Sequence, residues 1–391
     1  MPWKETDVTE QRLRFVIAAQ RPGVTLSALC REFGVSRPTG RKWRDRARHA
    51  PALVTALTNR SCRPRRSPRQ TPPHAIDAVV ALRREYGWAG AKLQPLLYAQ
   101  GVALSVATID RIIRRTGLTD LDEQHRPALR RFTAPHPNAL WQMDFKGAYP
   151  VAPGAWCHPL SVLDDHSRFA VGLTALPSQQ GTGVRAALVE TFQQYGVPDR
   201  LLVDHGTPWW HRRSAQGLTQ LTVFLIQQGI TLRFSGVRHP QTQGKVERFH
   251  RTLGRRLRQW GVPTQLPAFA AAFTRFRQEY NYVRPHASLG QQPPSTHYHP
   301  SARPYLAVPP DWRYPAAMST CAVECLGHIR VAHRRVFVSE ALAGHTVGYL
   351  ELPDRWLVAF RHLWIAEIDR VMGITVPMHT PIDALNLETR S

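Results

Sequence analysis

Residues 239–250 read His-Pro-Gln-Thr-Gln-Gly-Lys-Val-Glu-Arg-Phe-His, and this stretch organises the reading of the whole chain. From Gln241 to Trp260 apolar residues recur at helical spacing, which predicts one long basic helix. Glu247 lies near its start. Gln241, Gln243 and Lys245 precede it, and Arg248, Arg251, Arg255, Arg256 and Arg258 follow. A lone carboxylate among cations has two readings: an ion-pair partner of Arg251 at i+4, or a metal ligand on a helix whose cations meet phosphate.

Two other carboxylates favour the second reading. Asp144 stands in Trp141-Gln-Met-Asp-Phe-Lys-Gly, a predicted strand where an apolar setting makes an uncompensated charge costly. Asp204 ends the short apolar strand Leu201-Leu202-Val203, and strand carboxyl ends of open α/β sheets are where sites form. Three carboxylates on separate elements can hold hard divalent cations through oxygen. Two such ions, about 3.5–4 Å apart, would clamp the attacking and leaving oxygens of an in-line phosphoryl displacement. Taken singly, Asp204 also reads as a helix cap.

Composition points to the same class of partner. Lys and Arg number 51 against 28 Asp and Glu, a formal net charge of +23. An excess spread along the chain attracts polyanions, and neutralising phosphates releases counterions. Double-stranded DNA is the expected partner. No apolar run is long enough for a membrane span, and the polar start carries no signal-peptide pattern, so a cytoplasmic location on the nucleoid is expected. Five cysteines, widely spaced, give no disulfide framework. Cys321, Cys325, His328 and His333 fit no common zinc spacing, and no zinc is expected.

Residues 1–58 read as a helix-turn-helix DNA-binding domain. Thr25 and Ser36 cap two helices around a Gly34-Val35 turn, and Leu29, Phe33, Val35 and Trp43 take the packing positions. Arg37, Arg41, Lys42 and Arg44 are the candidate DNA contacts on the second of these helices; a solvated basic face is the plain alternative. Gly40 occupies a position where a bulky apolar residue is common. Residues 59–73 form a basic Pro-rich linker, and 74–118 a second helix-turn-helix-like unit, with Ser105 capping a helix that turns Ile109, Ile112 and Ile113 inward. Residues 119–135 are again a linker. Residues 136–290 hold three consecutive strands and then alternating helices and strands, an α/β core with a mixed sheet. A Pro-rich linker at 291–317, a small β-barrel at 318–372 and a tail at 373–391 complete the multidomain chain.

The combination of His239-Pro-Gln-Thr-Gln-Gly-Lys-Val-Glu-Arg-Phe-His, Trp141-Gln-Met-Asp, Val203-Asp-His-Gly and Tyr280-Asn-Tyr-Val-Arg-Pro-His-Ala-Ser-Leu-Gly strongly resembles the integrase-like core of bacterial insertion-sequence transposases. The resemblance runs from the helix-turn-helix to about Tyr305, and more loosely over the terminal strands. It implies a ribonuclease-H-like fold shared with retroviral integrases, a DDE triad of Asp144, Asp204 and Glu247, magnesium as the ion with manganese as substitute, and a homo-oligomer on DNA bearing the element's terminal repeats. The implied function is metal-dependent strand cleavage and strand transfer into target DNA. Two departures stand out. His205 replaces a common Asn beside Asp204, and Glu247 follows Asp204 by 43 positions, longer than is usual, with the surplus assigned to Trp209–Gly217. Lys245, Arg248 and Arg251 are candidate DNA contacts. His239 is a secondary candidate, as is Asp165, for which a structural turn is the simpler reading. A DNA-binding regulator or inactive domesticated transposase, and a nuclease without strand transfer, are the competing functions.

Overall fold

The computed structural model describes residues 7–60, 70–119, 133–211, 217–234 and 244–376. The chain forms two compact units, Met1–Pro72 and Pro73–Ser391.

The first unit packs α1 (Val8–Ala18), α2 (Leu26–Glu32), α3 (Arg37–Arg48) and α4 (Leu53–Leu57) around Phe15, Val16, Leu29, Cys30, Trp43 and Leu57. Thr25 and Ser36 cap α2 and α3 as their sequence context predicts, each accepting a backbone N–H at 3.4 Å. Gly40 is buried because its neighbours already fill the space. A Cβ there would lie 2.4 Å from Cys30 Sγ and 2.9 Å from Phe15.

In the second unit, α5 (Pro73–Tyr86), α6 (Gly90–Ala99) and α7 (Val106–Arg115) close on Val79, Leu93, Leu97, Ile109 and Ile113. Ser105 caps α7, and the Asp110 carboxylate accepts the Gly90 N–H that starts α6.

The central sheet contains β1 (Trp141–Phe145), β2 (Tyr149–Ala152), β3 (Ala155–Asp164), β4 (Ala170–Leu176), β5 (Arg200–Val203) and β6 (Thr231–Phe234). β3 pairs antiparallel with β1, β2 and β4, whereas β5 is parallel to β1 and β6 to β5. The sheet is therefore mixed. Helices α8 (Gly181–Tyr195) and α9 (Gln220–Gln227) cover one face through Val184, Leu188, Phe192, Leu221 and Phe224, which meet Trp141, Met143, Leu160, Val162, Leu201 and Val203. Helices α10 (Gly244–Trp260) and α11 (Leu266–Gln278) cover the other through Phe249, Leu253, Phe269, Phe273 and Phe276, which meet Leu163, Ala170 and Leu173. The even and odd positions of β3 thus serve opposite faces, as strand alternation requires. Asn281, just past α11, completes the edge: its amide accepts the Ala170 N–H at 2.8 Å and donates to the Ala170 carbonyl at 3.1 Å.

The Pro-rich stretch after Gly290 lies against the core. Tyr298 stacks on Phe169 with ring centroids 4.2 Å apart, and the Arg303 guanidinium donates to the carbonyls of Pro198, Gln228 and Gly229.

The terminal strands depart from the expected barrel. β7 (Ser319–Ala322), β10 (Thr346–Glu351), β11 (Arg355–Phe360), β12 (Leu363–Asp369) and β13 (Thr375–Val376) form an antiparallel sheet in the order β13–β12–β11–β10–β7, beside a hairpin of β8 (His328–Val331) and β9 (Arg334–Phe337). Among the described residues this pairing does not close. These strands lack enough apolar surface for an isolated core, and they borrow α9: Leu218, Val223 and Ile226 pack with Ile329, Val336, Val358 and Ile365. No described helix is long and apolar enough to cross a membrane.

Candidate active site

The parallel pairing of β1 with β5 sets Trp141 beside Leu201 and Gln142 beside Leu202. Continued along both strands, the same register brings Asp144 beside Asp204 at their carboxyl ends, on strands spaced about 4.8 Å apart. Both positions belong to the sheet face covered by α10. Asp204 follows the last residue of β5, and its Oδ1 accepts the Gly206 N–H at 3.0 Å. A Cβ at Gly206 would lie 3.0 Å from Asp204 Oδ2, so glycine there leaves the carboxylate room.

Asp144 carries the electrostatic signature of this pairing. Burial first, and then the charges of Asp204 and Glu247, push its carboxyl up to about 6, against a hydrogen bond from the Phe145 backbone. Glu247 is exposed in the first turn of α10. Its charge also raises Asp144, by less than that of Asp204 does. Among the described residues no three His, Cys, Asp or Glu side chains already converge into a metal-binding group. The structure thus brings two of the three carboxylates together and holds the third within electrostatic reach.

Two groups at this centre were not singled out from sequence. His250, one turn beyond Glu247, places Nε2 3.0 Å from Ser161 Oγ and Nδ1 3.8 Å from Asp144 Oδ2. Ser161 is the cross-strand register partner of Asp144. Burial, with a contribution from the Lys146 charge, lowers His250 to about 4, so the ring is neutral at pH 7. Lys146, two residues after Asp144, sits 4.3 Å from the centroid of the Tyr149 ring. A signal for His250 existed in the i, i+3 spacing from Glu247, but the Ser161 contact spans 89 positions and leaves no local trace.

The other candidates separate by position. Asp165 is buried at the opposite end of β1, since Asp164 pairs with Trp141. It accepts from Ala134 N and Gln142 Nε2, both at 2.7 Å, and forms an ion pair with Lys245 at 2.5 Å. Lys245 is lowered to about 8, chiefly by burial, and its ammonium pins the start of α10 to the sheet. Asp164 shapes the turn, accepting from Asn138 N, Ser167 N and Ser167 Oγ. The His205 ring packs 4.8 Å from Trp210 and 5.3 Å from Phe234, centroid to centroid. His239 lies outside the described residues. Arg248 and Arg251 are exposed. Arg251, Arg255 and Arg258 continue the face of Glu247 along α10 at i+4, i+8 and i+11. Arg256 faces inward and is 5% exposed. On α3, Arg37, Arg41 and Lys42 are exposed, while Arg44 pairs with Asp45 at 3.1 Å.

Known families match two parts of the chain. Residues 134–240 and 228–294 each match an integrase core domain family, and residues 6–53 match a homeodomain-like domain family. The chain is 25% identical over 218 residues to an uncharacterised 31.7 kDa protein of insertion element IS407 from Burkholderia multivorans, covering 54% of this chain and 75% of that protein. Among solved structures it is similar to the catalytic core domain of HTLV-2 integrase in complex with magnesium (14% identity, 42% of this chain and 99% of that one, TM-score 0.34). It is also similar to the catalytic core domain of BIV integrase (23% identity, 41% and 93%, TM-score 0.32). A third is the simian T-cell lymphotropic virus intasome in complex with the PP2A regulatory subunit B56 gamma (13% identity, 71% and 91%, TM-score 0.37). The chain thus carries an integrase core domain behind a homeodomain-like domain and is similar to an insertion-element protein.

Proposed function

We propose that Asp144, Asp204 and Glu247 form the DDE triad of a polynucleotidyl transferase that cleaves the ends of a mobile element and joins them to target DNA. The observation that carries this reading is the placement of Asp144 beside Asp204 at the ends of adjacent parallel strands, with Asp144 raised to about 6 by burial and by its carboxylate neighbours. Such a pair is unfavourable by itself and suits a divalent cation. The donor set is all carboxylate oxygen, which fits magnesium, with manganese as substitute, and not a thiolate-seeking metal. Two magnesium ions held there would stabilise the charge that develops on the phosphoryl oxygens during an in-line displacement.

The chain's own residues supply the rest. Gly206 keeps the Asp204 carboxylate accessible. Arg248, Arg251 and the cations that continue their face meet the DNA backbone, while Arg37, Arg41, Lys42 and Arg44 on α3 read the element's ends. Lys245, held by Asp165, sets where α10 begins and therefore where Glu247 stands. In the joining step a 3′-hydroxyl oxygen bonds to a target phosphorus, the phosphorus–oxygen bond to the target's own 3′ oxygen breaks, and that oxygen leaves with the proton. Residues 1–58 bind ends, 136–290 cut and join, and two ends joined in one event require a homo-oligomer on DNA, at the nucleoid.

The experiment is a joining assay with full-length protein, DNA bearing the element's terminal repeat, and a second DNA. Magnesium or manganese is expected to give new phosphodiester bonds at the element's 3′ ends. Calcium should support the complex with little joining, because its larger, looser shell misplaces the in-line oxygens. Specific binding without cleavage would leave a regulator, and cleaved ends that never join would leave a nuclease.

A further inference from the structure

We propose that His250 is a positioning residue for Asp144, aiming its Nδ1 N–H at that carboxylate while Ser161 holds the other side of the ring. The inference rests on Asp144 belonging to the triad, and His250 meets two side chains that face each other across β1 and β3. β3 carries Ser161 directly across from Asp144. α10 brings His250 over both, with Nε2 3.0 Å from Ser161 Oγ and Nδ1 3.8 Å from Asp144 Oδ2. Ser161 is 0% exposed, and the His250 side chain is 11% exposed. A hydroxyl so placed must find its partner within the protein.

A neutral imidazole has one N–H and one lone pair. With the Ser161 hydroxyl donating into Nε2, the ring proton resides on Nδ1, the nitrogen that faces Asp144. The opposite tautomer would turn a nitrogen lone pair toward a carboxylate, which is repulsive. At 3.8 Å the Nδ1 contact is an electrostatic one, longer than a hydrogen bond. The arrangement fixes two things together. It restrains the Asp144 carboxyl, and it does so from the helix that carries Glu247 three residues earlier. The spacing between the two ligand-bearing elements is thereby tied to one ring.

The two ring nitrogens can be tested separately, because an Asn amide reaches the place of Nδ1 and a Gln amide the place of Nε2. Manganese binding to the full-length protein, followed by electron paramagnetic resonance of the free ion, is measured beside manganese-dependent cleavage of a terminal-repeat DNA. His250→Gln is expected to weaken manganese binding by roughly tenfold, as loss of a group that orients a ligand does. His250→Asn should restore most of the affinity, and cleavage by His250→Gln should recover at saturating manganese. The Asn–Gln comparison decides the matter even where His250→Ala unfolds. Gln retaining affinity while Asn loses it would overturn the proposal, since the ring would then serve only Ser161. Asp144→Asn is the reference. Manganese binding unchanged in that variant would remove the triad reading itself. Binding lost there but unaltered in both His250 variants would remove only the positioning role.

Discussion

Asp144→Asn, Asp204→Asn and Glu247→Gln are each expected to lower strand cleavage by roughly a thousandfold or more, as loss of an essential catalytic group does, while DNA binding persists. Each substitution keeps the side chain's volume and removes one negative charge. The exposed cations of α3 and α10 are untouched, so the affinity that comes from phosphate neutralisation remains. Asp144 adds a distinguishing detail. Its carboxyl is pushed up to about 6 by burial and by Asp204, so its charged form, still the major one at pH 7, costs the fold stability. Asp144→Asn relieves that cost, and its thermal midpoint should equal or exceed that of the unchanged protein. Cleavage on gels, fluorescence anisotropy with labelled DNA and a thermal melt measure the three quantities. Near-normal cleavage by one variant would take that residue out of the triad.

The second large effect concerns the link between the α5–α7 module and the sheet. Arg256 is buried on α10 and donates to Glu279 Oε2 through Nε at 2.9 Å and Nη2 at 2.5 Å, to Gln259 Oε1 at 2.7 Å, and to the Glu85 carbonyl at the end of α5. Its guanidinium also lies 4.7 Å from the Trp260 ring centroid and 5.5 Å from that of Tyr86. Burial raises the Glu279 carboxyl, and the Arg256 hydrogen bond and charge oppose that rise. Arg256→Met strands a buried carboxylate, a loss of about 3–5 kcal/mol. Adding Glu279→Gln removes the stranded charge and should recover much of the loss. Urea denaturation of the two variants checks both statements. A loss below about 1 kcal/mol would class the pair with surface ion pairs, which contribute little.

These two cases mark what could be read in the sequence. Asp144 and Asp204 stand out in the sequence because each is a charge at the end of an apolar strand, an arrangement that folding physics disfavours without a purpose. Glu247 was legible from the basic helix around it. Arg256 looked like one more phosphate-facing cation, yet its position on the buried side of α10 and its Glu279 partner decide its role. Lys245 likewise read as a phosphate contact, but its ammonium meets Asp165, 80 positions earlier, a pairing that no local pattern encodes.

The elements divide in the same way. Strands β3 and β5 and helices α8 and α10 follow from the period of their apolar residues. The break between β1 and β2 leaves no trace in the sequence, because Lys146-Gly147-Ala148 is too short to show as a loop. The start of β12 is not marked in the sequence. The turn before it is Arg361-His362, with Arg361 at φ 53°, a left-handed position held without glycine or asparagine. The terminal segment is short for an independent core, which its length alone suggests, and its strands share one with α9.

The most direct measurement of the central claim is anomalous diffraction from crystals of the full chain with manganese and a terminal-repeat DNA lacking its terminal 3′-hydroxyl. Manganese scatters strongly, and the blocked end keeps the complex before joining. Manganese peaks are expected about 2.1 Å from carboxylate oxygens of Asp144 and Asp204, with Glu247 turned in to complete the set and the DNA end beside them. Manganese bound elsewhere on the chain, or a DNA end seated away from β1 and β5, would contradict it.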